Sequence, residues 1–300
     1  MSVPTWSPEF EVDEPLVRRL LRAQFPDLAA RCVRRLAEGW DSTVYLVDDT
    51  WAFRFPRRAI VLPGFRIELE LLPLLAPLLP VAVPVPVHVG APSEEFPWPF
   101  AGARLIPGHE ATGTGDRAAL AVALARALRV LHAPATLEAV GAGLPEDANR
   151  RGDMQTRVPF ARERIEELER EGLWRPPAAA LDVLEEALEL PPPVATAVCH
   201  GDLHFRHLIV GGGGLRGLID WIDVCRADPA IDLQLAWSFL DPPARAAFLA
   251  EYGPVPREAL LRARVVALFL CAALALYGAA EGHEAVAREA LAGLDRTLAG

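Results

Sequence analysis

The spacing of apolar residues changes repeatedly along the first third of the chain. Residues 13–24 begin with acidic side chains and continue with apolar residues at helical spacing, which predicts an N-terminal helix. β-branched and aromatic residues alternate over 42–56, on both sides of an Asp-Asp pair, which predicts a β-hairpin. Helical spacing returns over 67–79, where two prolines shorten or kink the predicted helix. Prolines also interrupt the valine-rich stretch 81–90, which predicts an edge strand or an extended segment.

The rest of the chain has a predominantly helical pattern. Apolar residues at helical spacing predict helices over 116–132, 160–173, 178–190 and most of 230–299. One strand-like insert interrupts them. Two short apolar runs, 207–210 and 215–220, flank the four glycines of 211–214, and glycine tolerates the positive φ angles of tight hairpin turns. The pattern therefore predicts a hairpin embedded among helices.

These elements predict an α+β protein with two lobes. A small, β-rich N-terminal lobe covers 1–105, a larger and mainly helical C-terminal lobe covers 106–300, and Pro107 and Gly108 mark the junction. A chain of 300 residues with 52% hydrophobic and 23% charged residues is long and apolar enough to bury a substantial core. Disorder is therefore excluded.

Charge and cysteine content narrow the possible partners and location. The net charge of -10 argues against nucleic-acid binding, which usually needs a basic surface, and it favours a cationic small molecule. The four cysteines are widely spaced, and the N-terminus lacks the blocks of a signal peptide, so we expect a cytoplasmic protein. The apolar run 265–280 is shorter than the roughly 20 residues that span a bilayer, so it predicts a core helix and no membrane association.

The predicted hairpin gathers groups that bind metals. Counting outward from the glycine turn pairs Val210 with Leu215 and His207 with Leu218, which brings His207 and Asp220 to the same end of the ribbon. Asp202 lies five residues before His207 and can point to the same space. These groups together predict a divalent-cation site, where oxygen ligands suit Mg²⁺. The alternative is a buried polar loop in which the histidines only satisfy backbone groups.

Two stretches carry a resemblance to a known family. HGDLHFRHL (200–208) resembles the HGDLHxxN catalytic loop of the aminoglycoside phosphotransferases, which are relatives of protein kinases, and GLIDW (217–221) resembles their metal-binding segment. DVCRADPAIDLQLAW (223–237) and EGWDSTVYLV (38–47) are similar to further motifs of that family. The resemblance implies a protein-kinase-like fold and transfer of the γ-phosphate of ATP or GTP, with Mg²⁺, to a hydroxyl group of a small molecule.

The resemblance assigns roles in the C-terminal lobe. Asp202 corresponds to the catalytic aspartate that orients the acceptor hydroxyl or takes its proton, and His200 corresponds to a residue that braces the catalytic loop. Asp220 and His207 occupy the two metal-ligand positions. His207 replaces the usual asparagine, as in macrolide phosphotransferases, and histidine favours softer ions than Mg²⁺. Asp232 corresponds to a buried anchor of the loop.

The resemblance also assigns nucleotide-binding roles in the N-terminal lobe. Arg54 stands where the family has the lysine that binds the phosphates, and arginine keeps the charge while differing in reach. Its expected partner is Glu68, which fits the family spacing better than Glu70 does. The remaining expected nucleotide contacts are the phosphate loop, with Gly39 and Ser42, and the segment beside the base, with Arg104 and Leu105.

The sequence leaves the acceptor and two other function classes open. Aminoglycosides, macrolides, amino alcohols and sugars all remain candidate acceptors, with antibiotic resistance as one consequence, and we expect a monomer or weak homodimer. Arg54 and His207 at the lysine and asparagine positions also fit a nucleotide-binding regulatory protein without catalysis. The string formed by His200, Asp202 and His204 fits a metallohydrolase, although such an enzyme needs no pair of Arg54 and Glu68.

Overall fold

The computed structural model describes residues 8–28, 31–39, 41–115 and 117–299. It divides into two compact units, an N-terminal one of Met1–Pro77 and Ala82–Pro107 and a C-terminal one of Leu78–Val81 and Gly108–Gly300. The predicted fold class is confirmed, because the first unit is built on an antiparallel sheet and the second is mainly helical. The first residue of the helix predicted over 116–132 lies outside the described residues.

The N-terminal unit is a five-stranded antiparallel sheet with two helices. The strand order is β1-β2-β3-β5-β4. The elements are α1 Glu14–Gln24, β1 Val33–Glu38, β2 Ser42–Val47, β3 Trp51–Pro56, α2 Leu62–Leu75, β4 Pro86–Gly90 and β5 Phe100–Arg104. In its core, the apolar residues of α1 pack with a group of aromatic side chains. Four of these are fully buried: Phe53, Phe55, Phe96 and Phe100. Phe53 and Phe55 belong to β3, so this aromatic packing holds in place the strand that carries Arg54.

Most of the predicted elements of this unit are confirmed, with two omissions. Asp48 and Asp49 turn the β2–β3 hairpin with φ values of 55° and 49°, a left-handed conformation that aspartate tolerates. The helix α2 begins five residues earlier than predicted, because Pro63 suits the first turn of a helix. The strand β1 was not predicted: it is an exposed edge strand on which only Val33 is buried. The strand β5, FAGAR, contains small residues that gave no alternating pattern.

The C-terminal unit combines helices with two small sheets. Its helices are α3 Ala118–Leu131, α4 Pro134–Val140, α5 Met154–Arg170, α6 Ala178–Ala187, α7 Ala230–Leu233, α8 Leu235–Ser238, α9 Pro242–Tyr252, α10 Arg257–Ala280 and α11 Glu284–Leu298. Its strands are β6 His109–Glu110, β7 Ala197–Cys199, β8 Leu208–Gly211, β9 Gly214–Leu218 and β10 Cys225–Ala227. The strands form a three-stranded sheet, β6-β8-β9, and a two-stranded sheet, β10-β7. The prediction of a single embedded hairpin was therefore incomplete.

The glycine hairpin differs from its predicted register at one point. Gly212 and Gly213 form the turn with φ values of 59° and 79°, and Val210 pairs with Leu215 as predicted. A register shift between Ile209 and Val210 then pairs Leu218 with Leu208, so the predicted pairing of Leu218 with His207 was wrong. His207 instead ends the 3-10 helix Phe205–His207, and its carbonyl accepts a hydrogen bond from the amide of Ile219 at 3.0 Å. The two ends of the ribbon still meet.

The longest helix, α10, lies in the core of the C-terminal unit. It has 24 residues, more than the predicted apolar run, and it is long and apolar enough to cross a membrane by length and composition. It packs against α5, α6, α7, α8 and α11, and 56% of its most apolar window is buried inside the protein. A core helix passes the same length and composition test, and this packing is the one predicted for it.

Candidate active site

The loop that follows β7 is anchored by the buried carboxylate of Asp232. This carboxylate accepts hydrogen bonds from the backbone amides of His200 at 2.7 Å and Gly201 at 3.1 Å, and from Nε2 of His132 at 3.1 Å. Gly201 has a φ of 89°, and a Cβ there would lie 2.2 Å from the carbonyl oxygen of Asp223. Only glycine fits at this position, and the predicted anchoring role of Asp232 is confirmed.

His200 supports the same loop from inside the protein. Its side chain is fully buried, and Nε2 donates a hydrogen bond to the carbonyl oxygen of Ile219 at 2.9 Å. Its ring lies against Trp221 with centroids 4.5 Å apart. Burial lowers the pKa of His200 to about 4, so the ring is neutral at pH 7. This geometry links the loop to the segment that carries Asp220, and a buried neutral ring is suited to positioning rather than to proton transfer.

The carboxylate of Asp202 is the partly exposed acid of the loop. Its side chain is 37% exposed, and its Oδ2 atom lies 3.9 Å from Nε2 of His204. Burial by the surrounding protein raises the pKa of Asp202 to about 6, against the opposing influence of His207. Its backbone carbonyl accepts a hydrogen bond from Nδ1 of His207 at 2.7 Å. The side chain is therefore available to an acceptor while the backbone positions His207.

His207 and Asp220 face each other as the hairpin predicted. Nε2 of His207 lies 3.4 Å from Oδ2 of Asp220. Because Nδ1 donates to the carbonyl of Asp202, Nε2 is the ring atom that faces Asp220. Asp220 adopts a left-handed conformation with a φ of 67°, which aspartate tolerates better than most residues. A nitrogen and a carboxylate oxygen fit a divalent cation that also binds phosphate and water.

A second histidine extends this cluster. Asp202, His204 and His207 offer ligand atoms that all lie within 4.8 Å of one another. Nδ1 of His204 accepts the amide hydrogen bond of Arg206 at 3.3 Å and caps the 3-10 turn, so only its Nε2 faces the cluster. His200 is not part of this group, and its Nε2 atom is bonded to the backbone. The predicted metallohydrolase string of His200, Asp202 and His204 does not converge on one point.

The N-terminal unit contains a buried ion pair at the predicted position. Nη1 of Arg54 lies 3.0 Å and 2.8 Å from the two carboxylate oxygens of Glu68, and Nε donates to the hydroxyl of Ser42 at 3.0 Å. The side chains of Arg54 and Glu68 are 16% and 6% exposed, whereas Glu70 is exposed. The choice of Glu68 over Glu70 as the partner of Arg54 is confirmed. The pair is preserved although arginine stands in the lysine position.

The other residues predicted to contact a nucleotide make contacts within the N-terminal unit. The amide of Gly39 donates to the carbonyl of Ser42 at 2.9 Å, and the hydroxyl of Ser42 accepts from Arg54. The amide of Leu105 donates to the carbonyl of Thr50 at 2.8 Å, so it cannot donate to a base, and the guanidinium of Arg104 lies over Trp51 at 5.1 Å. The hydroxyl of Ser42 therefore helps to hold Arg54 in place.

A cavity in the C-terminal unit adds residues that the sequence did not indicate. It measures about 390 Å³ and lies beside Asp202, α5 and α10. Its lining residues are Asn149, Arg151, Arg157, Phe160, Arg164, Gly201, Asp202, Leu203, Ile231, Gln234, Val266, Phe269 and Leu270. The only sequence signal for them is the spacing of Arg157, Phe160 and Arg164, which places them on one face of a helix. Arg151 also pairs with Asp223 at 2.5 Å.

Comparison with solved structures finds several proteins of similar fold. The GDP and kanamycin complex of an aminoglycoside 2″-phosphotransferase is similar, with 24% identity, 94% of this chain and 97% of that chain covered, and a TM-score of 0.68. The GDP complex of an aminoglycoside 2′-phosphotransferase has 24% identity over 96% and 99% of the chains, with a TM-score of 0.69. A macrolide 2′-phosphotransferase from Brachybacterium faecium has 23% identity over 93% and 97%, with a TM-score of 0.60. These likenesses show the fold.

Two further comparisons concern the sequence, one with curated proteins and one with models of protein families. Comparison with curated proteins gives no match. The model described as the phosphotransferase enzyme family matches residues 33–264, a stretch that contains the catalytic loop, the metal-binding segment, and the pair of Arg54 and Glu68. This match covers more than half of the chain and confirms the resemblance of the motifs. The chain belongs to the phosphotransferase enzyme family.

Proposed function

We propose that the protein transfers the γ-phosphate of ATP or GTP to a hydroxyl group of a small molecule, in the cytoplasm and as a monomer or weak homodimer. One observation carries the proposal: the carboxylate of Asp202 lines a cavity, while its backbone carbonyl positions His207 opposite Asp220. The similar solved structures bind GDP and kanamycin or are macrolide phosphotransferases. Antibiotics are therefore the first acceptors to test, and antibiotic resistance is part of the proposal.

Each residue of the site has a separate task in this reaction. Asp202 accepts a hydrogen bond from the acceptor hydroxyl, orients its oxygen toward the γ-phosphorus, and takes the proton as the new phosphorus–oxygen bond forms and the bond to the nucleoside diphosphate breaks. Asp220 and His207 would hold Mg²⁺, which neutralises charge on the phosphates when bound. Arg54, held by Glu68, contributes a fixed positive charge toward the phosphates. Catalysis then depends mainly on positioning and charge.

The direct test is a transfer assay with a panel of hydroxyl compounds. The full chain is incubated with ATP or GTP and Mg²⁺, and phosphorylated products are measured by mass spectrometry for kanamycin, a macrolide, amino alcohols, sugars and hydroxy acids. We expect one class to be phosphorylated with loss of one γ-phosphate per product. A nucleotide-dependent thermal shift without any product across the panel would instead support a regulatory nucleotide-binding protein.

Replacing Arg54 by methionine tests its contact with the nucleotide. We expect Arg54→Met to raise KM for the nucleotide by about tenfold or more, because a charge-assisted bond to phosphate is lost and the buried carboxylate of Glu68 loses its partner. The measurement is initial rate against nucleotide concentration. Arg34→Met is the matched control, because Arg34 lies on the exposed edge strand β1 and pairs with Asp49. An unchanged KM in Arg54→Met would remove Arg54 from the nucleotide site.

Replacing His207 by asparagine tests the metal preference of the site. Asparagine offers an oxygen ligand, which suits Mg²⁺, so His207→Asn is expected to lower the Kd for Mg²⁺ several-fold relative to Mn²⁺. Calorimetric titration of each metal in the presence of nucleotide measures this ratio without relying on turnover. His283→Asn is the control, since His283 is exposed at the beginning of α11. An identical ratio in the parent and His207→Asn would show that His207 is not a ligand.

A further inference from the structure

The cavity beside Asp202 is lined mainly by positive and apolar side chains. Three arginines, Arg151, Arg157 and Arg164, line it, and Asp202 is the only carboxylate among its described lining residues. Phe160 and Phe269 form part of an apolar wall on α5 and α10. A polycation such as an aminoglycoside needs several carboxylates to replace the water around its ammonium groups. This lining offers it one, which the proposed reaction already uses.

The three arginines differ in how their charge is balanced. Arg151 pairs with Asp147 at 3.1 Å and with Asp223 at 2.5 Å. Arg164 pairs with Glu167 at 2.7 Å in a half-exposed contact on the same helix. Arg157 has no carboxylate partner within the described part of the chain. Among these three arginines, Arg157 is therefore the one without a direct ion pair in the described part of the chain.

Arg157 is held rigidly by contacts that leave its charge in place. Nη2 donates to the carbonyl oxygen of Asn149 at 3.1 Å and Nε to that of Arg151 at 3.4 Å, while the guanidinium lies over the ring of Phe269 at 4.2 Å. Nη1 has no hydrogen-bond partner among the described residues. Two neutral carbonyls and one ring orient the group without supplying a negative charge. The guanidinium is thus preorganised, with one nitrogen available to a ligand.

The electrostatic environment of Arg157 is unfavourable without a ligand. The residue is 5% exposed. Burial, and after it the charge of Arg151, lowers the pKa of Arg157 to about 10, against the opposing influence of Asp147. A buried guanidinium without a counter-ion is a costly arrangement, and an anion that enters the cavity relieves it.

We infer that the acceptor is an anionic hydroxy compound, whose carboxylate or phosphate group binds Arg157 while its apolar part packs on Phe160 and Phe269 and its hydroxyl group meets Asp202. The inference rests on the proposed function, because that function makes the cavity beside Asp202 the acceptor site. It reverses the expectation of a cationic acceptor that followed from the net charge of the chain. Net charge averages over the whole surface, whereas an acceptor experiences the charges that line its own cavity.

The test compares probes that share a hydroxyl group and differ mainly in the charge of one neighbouring group. Mandelate, mandelamide and phenylethanolamine share a benzylic hydroxyl and carry a carboxylate, a neutral amide and an ammonium group, and their Kd values are measured by calorimetry on the full chain. We expect mandelate to bind about tenfold more tightly than mandelamide, and phenylethanolamine most weakly. Glycerol phosphate and glycerol form a second pair, which distinguishes phosphate from carboxylate as the preferred anion. Tighter binding of phenylethanolamine or kanamycin than of both anions would overturn the inference.

Variants of Arg157 locate the binding of the anion. Arg157→Gln is expected to weaken the better-bound anion about tenfold and to leave mandelamide unchanged, while Arg157→Lys, which keeps the charge, retains most of the affinity. Arg162→Gln is the matched control on α5, because Arg162 lies outside the cavity and pairs with Glu185. Equal anion affinity in the parent and in Arg157→Gln would overturn the inference, as would the absence of anion binding at millimolar concentration. Thermal unfolding of each variant confirms that it is folded.

The outcome separates this inference from the proposed function. Phosphate transfer to kanamycin with no binding of either anion would keep the phosphotransferase function and reject the anionic acceptor. Anion binding that depends on Arg157, without transfer to any hydroxyl compound, would reject the phosphotransferase function and keep the anion site.

Discussion

Asp202→Asn is expected to lower the rate of phosphate transfer by roughly 10²–10⁴-fold, the range that a positioned general base contributes. The amide keeps the shape of the side chain but cannot take a proton from the acceptor hydroxyl. Nucleotide affinity should stay within about twofold of the parent, because the backbone carbonyl that binds Nδ1 of His207 is unchanged. Single-turnover transfer and equilibrium nucleotide binding, measured on the same preparation, separate the two effects.

The matched control for this experiment is Asp241→Asn. Asp241 is an exposed residue that caps α9 by accepting a hydrogen bond from the amide of Ala244, and it does not line the cavity. We expect the control to transfer phosphate at the parental rate. A parental rate in Asp202→Asn would remove Asp202 from the reaction. A joint loss of transfer and of nucleotide binding would instead assign Asp202 to the nucleotide site.

The local geometry of the site follows from short-range sequence signals. The glycine turn predicted that His207 and Asp220 would lie close together, and they do. The predicted register was wrong by one residue, because the strand has a bulge between Ile209 and Val210. The family spacing likewise identified Glu68 as the partner of Arg54. In both cases one turn or one helix start brings the two residues together, so local patterns are sufficient.

The charges of the cavity beside Asp202 could not be predicted in the same way. Arg157 and Phe269 are more than a hundred residues apart in the sequence, and their contact depends on how α5 packs against α10. That no carboxylate among the described residues pairs with Arg157 is also a property of packing, because acidic residues are common in its helix. The edge strand β1 was missed for a related reason: one buried residue, Val33, leaves no alternating pattern. The sequence therefore predicted contacts between residues that are close along the chain, and it did not predict contacts between side chains that are far apart in sequence.

Removal of the buried carboxylate of Asp232 is expected to give the largest loss of stability. Asp232→Ala leaves three buried donors without their acceptor, the amides of His200 and Gly201 and Nε2 of His132. Since each unsatisfied buried donor costs about 1–3 kcal/mol, we expect the free energy of unfolding to fall by about 3–9 kcal/mol. Urea unfolding measures this loss, and amide exchange of residues 198–203 localises it. Asp241→Ala, which removes an exposed helix cap, should cost only about 1 kcal/mol.

The same carboxylate makes stability depend on pH. Burial alone would raise the pKa of Asp232, but the hydrogen bond from His132 and the nearby His200 lower it below the usual value of 3.8. A carboxyl group with a lowered folded-state pKa contributes stability above its unfolded pKa, and this contribution is lost as the pH falls through the folded value. Below pH 4 the parent should therefore lose stability more steeply than Asp232→Asn, which has no proton to bind at this position. Parallel acid-unfolding curves for the two proteins would contradict the role of Asp232 as the ionised anchor of the catalytic loop.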